Sequence, residues 1–174
     1  MMFRIATAAL LAAGLSDAPR AAEASIVTLI VSVPGAAESG SEAAETASRR
    51  GDAVQAGMEA FGAEILRTTD PNDAELRSVL RRFAAVATNR DVALIYLDAP
   101  VVRFEDRIFV LPAGFTLDRA TDLFTRAVPL SAFGRAAAVS GNGGAVFAKP
   151  RAGAYDLSES LSRVTEAPEP IAGG

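Results

Sequence analysis

Hydrophobic positions in this chain follow two periods, and the switches between them mark the elements. Ser25 to Val33 (S-I-V-T-L-I-V-S-V) is a continuous β-branched run stopped by Pro34-Gly35, the pattern of a strand buried on both faces. A polar, small-residue loop from Gly35 to Glu42 follows. Ala47, Gly51, Val54, Met58 and Phe61 then recur at i, i+4, i+7 spacing, which predicts a helix packed on the sheet and ended by Gly62. Ala63 to Arg67 reads as a second short strand. Asp70 is the expected N-cap and Pro71 the first residue of the next helix. Its buried stripe is Leu76, Val79, Leu80, Phe83 and Ala87, with Arg77, Arg81 and Arg82 on the wet side. Val92 to Leu97 is the third strand.

Beyond it, Val101 to Phe104 and Arg107 to Leu111 flank Glu105-Asp106, a spacing that predicts a tight antiparallel hairpin. Helical residues run from Ala120 to Arg126 and from Leu130 to Ala138. Gly141-Asn-Gly-Gly144 then leads to a last strand, Ala145 to Ala148, ended by Lys149-Pro150. Residues 152–174 form a C-terminal tail with one short helix, Leu157 to Val164, and no repeat recurs in the chain. Strand and helix alternate, which predicts an α/β domain over residues 25–151 with right-handed crossovers.

At 174 residues the chain fits one hydrophobic core. Half of it is hydrophobic but only 6% aromatic, so Ala, Val and Leu must fill that core, with Phe as the large filler. The net charge of −4 argues against nucleic acid, which calls for a basic face. Lys149 is the single lysine among 17 cationic side chains, a bias that reads as genomic composition. Residues 1–24 carry the marks of an export signal: Arg4, an apolar run from Ile5 to Leu15, and Ala22-Glu23-Ala24 as cleavage site. The apolar run is too short to span a bilayer. The expectation is a periplasmic or secreted protein that begins at Ser25, with no membrane span after cleavage.

Asp91-Val-Ala-Leu-Ile-Tyr-Leu-Asp-Ala-Pro100-Val-Val-Arg-Phe-Glu-Asp-Arg-Ile-Phe-Val-Leu-Pro112 resembles, without a gap, the D-V-A-L-x-Y-Y-A-G-H-G-V-Q-x-x-G-R-N-Y-L-L-P segment of caspase-like cysteine peptidases of the bacterial metacaspase type. Gly51-Asp-Ala-Val-Gln-Ala-Gly-Met-Glu-Ala-Phe-Gly62 is similar to that family's N-D-A helix, and Ala127-Val-Pro-Leu130 to its V-P-L. The likeness spans about Gly51 to Ala138. It implies a caspase-like three-layer α/β/α domain with a mainly parallel sheet and a small antiparallel hairpin. It also places Pro100 at the family's catalytic His, with Ala99 and Val101 replacing the neighbouring glycines, and Pro150 at its Cys. The family's early G-N-x-x-Y is missing around Val33-Pro34-Gly35. The chain contains no Cys and no His, and a caspase-like mechanism needs both a thiolate and an imidazole. The resemblance therefore implies the scaffold of a protease without its chemistry.

Other chemistry is poorly supplied. Without His and Cys, a metal could find only oxygen ligands. Asp70, Asn72, Asp73 and Glu75 lack the further ligands of a calcium loop and stand at a helix start. Glu105 and Asp106 occupy a hairpin tip with no facing partner to tune them. Gly141 to Gly144 lacks the spacing and the G-K-S/T ending of a phosphate loop, so it reads as a turn. Val146 stands where a Ser-Lys dyad with Lys149 would need its serine. Asp98, at the end of a central strand, is where α/β folds place ligands.

The expected function is a catalytically inactive binding or regulatory module without a cofactor. Its expected partner is a protein, met through a sheet edge or through the hairpin 101–111. Asp98, Arg103, Phe104 and Arg107 are the candidate contacts. A periplasmic α/β ligand-binding protein using the crevice near Asp98, Ala99, Arg103 and Arg107 is the alternative. A hydrolase with an unrecognised Ser or carboxylate site is the third reading. Export is tested by intact mass spectrometry of the protein from its native host, which should find Ser25 at the N-terminus; a chain that keeps Met1 contradicts it.

Overall fold

The computed structural model describes residues 24–34, 42–116, 121–151, 161–163 and 171–172. The signal expected over residues 1–24 lies outside the described residues except for Ala24, as does most of the tail. The chain is mixed α/β. In order it runs β1 (Ile26–Ser32), α1 (Glu42–Ala60), β2 (Glu64–Thr69), α2 (Asp73–Ala87), β3 (Val92–Phe104), β4 (Arg107–Val110), α3 (Asp122–Arg126), β5 (Val128–Pro129), α4 (Leu130–Ala137), β6 (Gly144–Arg151), β7 (Leu161–Arg163) and β8 (Ile171–Ala172). Parallel pairs join β2 to β1, β1 to β3 and β3 to β6. Antiparallel pairs join β3 to β4 and β7, β4 to β5, and β6 to β8. No described helix is long and apolar enough to cross a membrane.

The two faces of the sheet have different chemistry. Alternate residues Val27, Leu29 and Val31 of β1 and Ala93, Ile95, Leu97 and Ala99 of β3 share one core with Leu76, Leu80 and Phe83 of α2 and Phe133 of α4. Phe83 and Phe133 have no exposed surface, and burial of each stabilises by about 1.5–3 kcal/mol. The intervening residues Thr28, Ser32 and Asp98 face the other way, and Asp98 meets Arg50 of α1 there. A second apolar cluster forms at the hairpin end, from Val102, Phe109, Leu111, Phe115, Leu123 and Ala127. Phe124 stacks edge-on against Phe104 and Phe109, with ring centres 5.8 and 5.5 Å apart.

Four of the expected helices are present, with shifted ends. Gly62 follows α1 at φ 72°, the left-handed conformation that ends a helix at little cost to glycine. Phe61, expected in the stripe, lies past the last turn and is 74% exposed. Asp70 does not cap α2. The cap is Asn72, whose side chain accepts from the Glu75 amide while Glu75 accepts from the Asn72 amide. This reciprocal box satisfies two otherwise orphaned amides. Asp70 instead turns the chain at φ 53°.

The strands differ more. The third strand and the first arm of the hairpin are one element, because β3 runs on through Pro100. Its first part lies between β1 and β6; its last residues lie between β4 and β7. The Asp98 carbonyl accepts from the Val33 amide at 2.8 Å and the Pro100 carbonyl from the Leu111 amide at 2.9 Å. Pro100 thus stands where one neighbour ends and the next begins. Its missing N–H costs no ladder bond there.

β6 likewise continues through Lys149 and Pro150 to Arg151. Among the described residues it pairs with β8 only at Ala145 and Val146, so Pro150 has one neighbouring strand there, β3. In the tail, the end of the expected helix Leu157 to Val164 is the strand β7; its beginning lies outside the described residues. A backbone partner on β3 takes precedence there over helical spacing.

Gly144 is fixed by contact. A Cβ at that position would lie 2.2 Å from the Ala93 carbonyl oxygen and 2.6 Å from that of Ala137, whereas one on Gly57 of α1 would meet nothing. Gly144→Ala should therefore lose about 3 kcal/mol, while Gly57→Ala should gain about 0.5–1 kcal/mol of helix propensity. Urea melts of the two variants beside the wild type check both signs.

Candidate functional site

At the carboxyl ends of the parallel strands, the polar face of the sheet closes on one carboxylate. The run V-A-L-I-Y-L-D carries Asp98 into the interior, where it has no exposed surface. An unpaired buried carboxylate would cost several kcal/mol. Two guanidiniums prevent that. Arg151, at the end of β6, donates from Nε to Asp98 Oδ1 at 2.5 Å and from Nη2 to Oδ2 at 3.1 Å. Arg50 of α1 donates from Nε to Oδ2 at 2.8 Å.

Arg151 is itself buried, with 5% of its side chain exposed against 30% for Arg50. The β3–β6 register brings it there, since Arg151 pairs with Pro100 two residues from Asp98 and so shares its face. The two-pronged Arg151 contact fixes orientation as well as charge.

Around this centre lie Ser32, paired in register with Asp98, and Tyr96 on the same face of β3. The Ser32 and Thr28 hydroxyls are buried and have no hydrogen-bond partner among the described residues. Gly51 lets α1 approach closely, since a Cβ there would lie 3.3 Å from Ser32 Oγ and 3.1 Å from Arg67 Nη2. Arg67 of β2 donates to Asp52 at 2.5 Å, to Gln55 at 3.1 Å and to the Ser48 carbonyl at 3.3 Å. Its bonds clamp α1 onto the sheet edge.

Protonation states follow from these contacts. Burial by itself would raise the Asp98 carboxyl, but the hydrogen bonds and charges of Arg151 and Arg50 outweigh it and hold the group below its ordinary value. Burial also raises the Tyr96 phenol, and the Asp98 charge adds to that rise. Near neutral pH the site therefore holds an ionised carboxylate with both oxygens engaged and a protonated phenol. Neither is poised as a general base. No group of three or more His, Cys, Asp or Glu able to hold a metal occurs among the described residues.

The candidate residues from the sequence are not brought together. Asp98 is committed to two arginines. Arg103 lies further along β3 on the other face and is exposed; Phe104 packs on Phe124; Arg107 opens β4 beside the hairpin turn. Pro100 and Pro150 are on neighbouring strands, but Pro100 pairs with Arg151 and Pro150 with Ala99. Their rings project to opposite faces. Most apolar groups of the hairpin are covered, since Val101, Val102, Phe109, Val110 and Leu111 are all at most 4% exposed. Arg50 and Arg151 complete the site without having been singled out. Their signal was indirect: an aspartate ending a buried apolar strand requires a cation.

The pH dependence has a definite sign. A carboxyl whose folded pKa lies below its unfolded value contributes stability that is fully present above the unfolded value, here 3.8, and lost as pH falls through the folded one. Asp98→Asn should remove most of that acid-side loss. Asp91, lowered by hydrogen bonds from the Ser25 amide and hydroxyl, acts in the same window and leaves a residue of it. Arg151→Met, which strips the buried partner, should cost about 3 kcal/mol at neutral pH. Parallel stability curves for wild type and Asp98→Asn through the acid range would refute the assignment.

No protein-family model matches this chain, and no curated protein matches it in sequence, so the functional reading rests on these residues and their geometry.

Proposed function

We propose that this chain is an exported, catalytically silent caspase-like domain that works as a protein-binding or regulatory module. The observation that carries the reading is the state of the strand ends where the resemblance expects a dyad. Pro100 stands where the resemblance expects the His, no thiol exists anywhere in the chain to serve as nucleophile, and the charges beside it, Asp98, Arg50 and Arg151, are spent on one another. The parallel order β2-β1-β3-β6, with α1 between β1 and β2, α2 between β2 and β3, and the β3–β4 hairpin after the site, supports the three-layer caspase-like arrangement. A chain without thiol or imidazole has no route to an acyl-enzyme of the cysteine-peptidase kind.

The test is reaction with electrophilic caspase-type and arginine-directed probes, together with peptide hydrolysis, across pH and with calcium added. Purified wild type should form no adduct and release no product. Pro100→His alone adds a base without a nucleophile, and Pro150→Cys alone a nucleophile without a base. The double variant should also stay silent, because the two positions face opposite sides of the sheet. Cleavage of Arg or Lys peptides by rigorously purified wild type would overturn this reading.

A further inference from the structure

Away from the Asp98 site, two adjoining clefts share Pro129 and Arg135. One, of about 580 Å³, runs between α2 and α4 over Leu80, Ala84, Ala132, Ala136 and Val139. The other, of about 520 Å³, continues past the start of α4 to Ile108 of the hairpin. Their rim is cationic: Arg77 and Arg81, one turn apart on α2, Arg135 on α4, and Arg107 on β4. Asp106 is the single acid lining either cleft, although the chain as a whole carries a charge of −4.

Arg81, Arg107 and Arg135 are exposed and form no ion pair among the described residues. Arg77 is held in place by donating to the Ala127 and Thr125 carbonyls at 2.8 and 3.3 Å. Val139 is 45% exposed at the end of the strip. An apolar strip whose cationic rim has no ion-pair partner among the described residues calls for an occupant that is apolar in the middle and acidic at its flanks.

Deepening the binding-module reading, and resting on it, we propose that this strip is a docking groove for an acidic amphipathic helix of a partner protein. Its extent over α2, α4 and the hairpin suits a chain better than a compact small molecule. Strand addition is disfavoured at the adjacent edge, since β5 is only Val128–Pro129 and Pro129 has no N–H to offer. A groove between two helices instead takes a helix by its side chains, with anchors at i, i+3, i+4 and i+7. Carboxylates flanking those anchors would meet Arg81, Arg135 and Arg107.

Fluorescence anisotropy with the full chain tests this, using a synthetic amphipathic helix of about 15 residues that carries leucine anchors flanked by glutamates. The expected result is saturable binding in roughly the micromolar range. It should weaken about tenfold or more in Arg81→Glu/Arg135→Glu and in Val139→Glu, weaken with added salt, and vanish when lysines replace the glutamates. The substituted side chains are exposed, and thermal melts confirm that the variants fold. No binding, equal binding of the lysine peptide, or binding unchanged in the variants overturns the proposal. Tighter binding of dodecanoate than of the peptide would also overturn it, by assigning the groove to lipid carboxylates. Photo-crosslinking in the host from Val139 and from other exposed positions such as Phe147 separates the two readings. Adducts elsewhere but none at Val139 overturn the groove alone; adducts nowhere overturn the binding module as well.

Discussion

A carboxylate without solvent contact lies at the centre of the sheet in Asp98, and its burial is tolerable only because two guanidiniums reach it. Those guanidiniums come from either side of Asp98 in the chain, 48 residues before it and 53 after. Arg50 arrives on α1, directly before the glycine that lets the helix approach β1, and Arg151 arrives at the last residue of β6. A shift of β6 by one residue would turn Arg151 to the other face and leave Asp98 short of its main partner. The ion network thus ties helix placement and strand register to one charge.

β3 is the spine on which this depends. Thirteen residues long, it changes neighbours midway, from β1 and β6 to β4 and β7. Pro100 falls at the change, where a central strand can do without an N–H. Beyond the junction the two faces of β3 serve different cores, since Val101 stays in the first cluster and Val102 enters the second. The first half packs on α2 and α4, and Val102 packs with Phe109, Leu111 and Leu123 in the second cluster.

The charges at the strand ends serve stability. The crevice at the strand ends, where an α/β sheet usually meets its ligand, is filled by charges that satisfy one another. A surface with open apolar area, and with charge unmatched among the described residues, lies between α2 and α4 instead.

Sequence pattern by itself determined the alternation of strands and helices, the stripes of α1 and α2, the buried run of β1, the hairpin and the absence of thiol and imidazole chemistry. These are local quantities: side-chain period, turn residues and composition. It also marked Asp98, because an acid closing an apolar strand is a local anomaly. Tertiary structure alone decided the rest. Pro100 and Pro150 read as strand ends because proline lacks an N–H, but whether that matters depends on which strand lies beside it. Leu161–Arg163 is a strand because β3 has backbone groups to pair there. Arg50 and Arg151 became partners of Asp98 through a register and a helix placement that no residue spacing encodes, since they stand 48 and 53 positions from it in the chain.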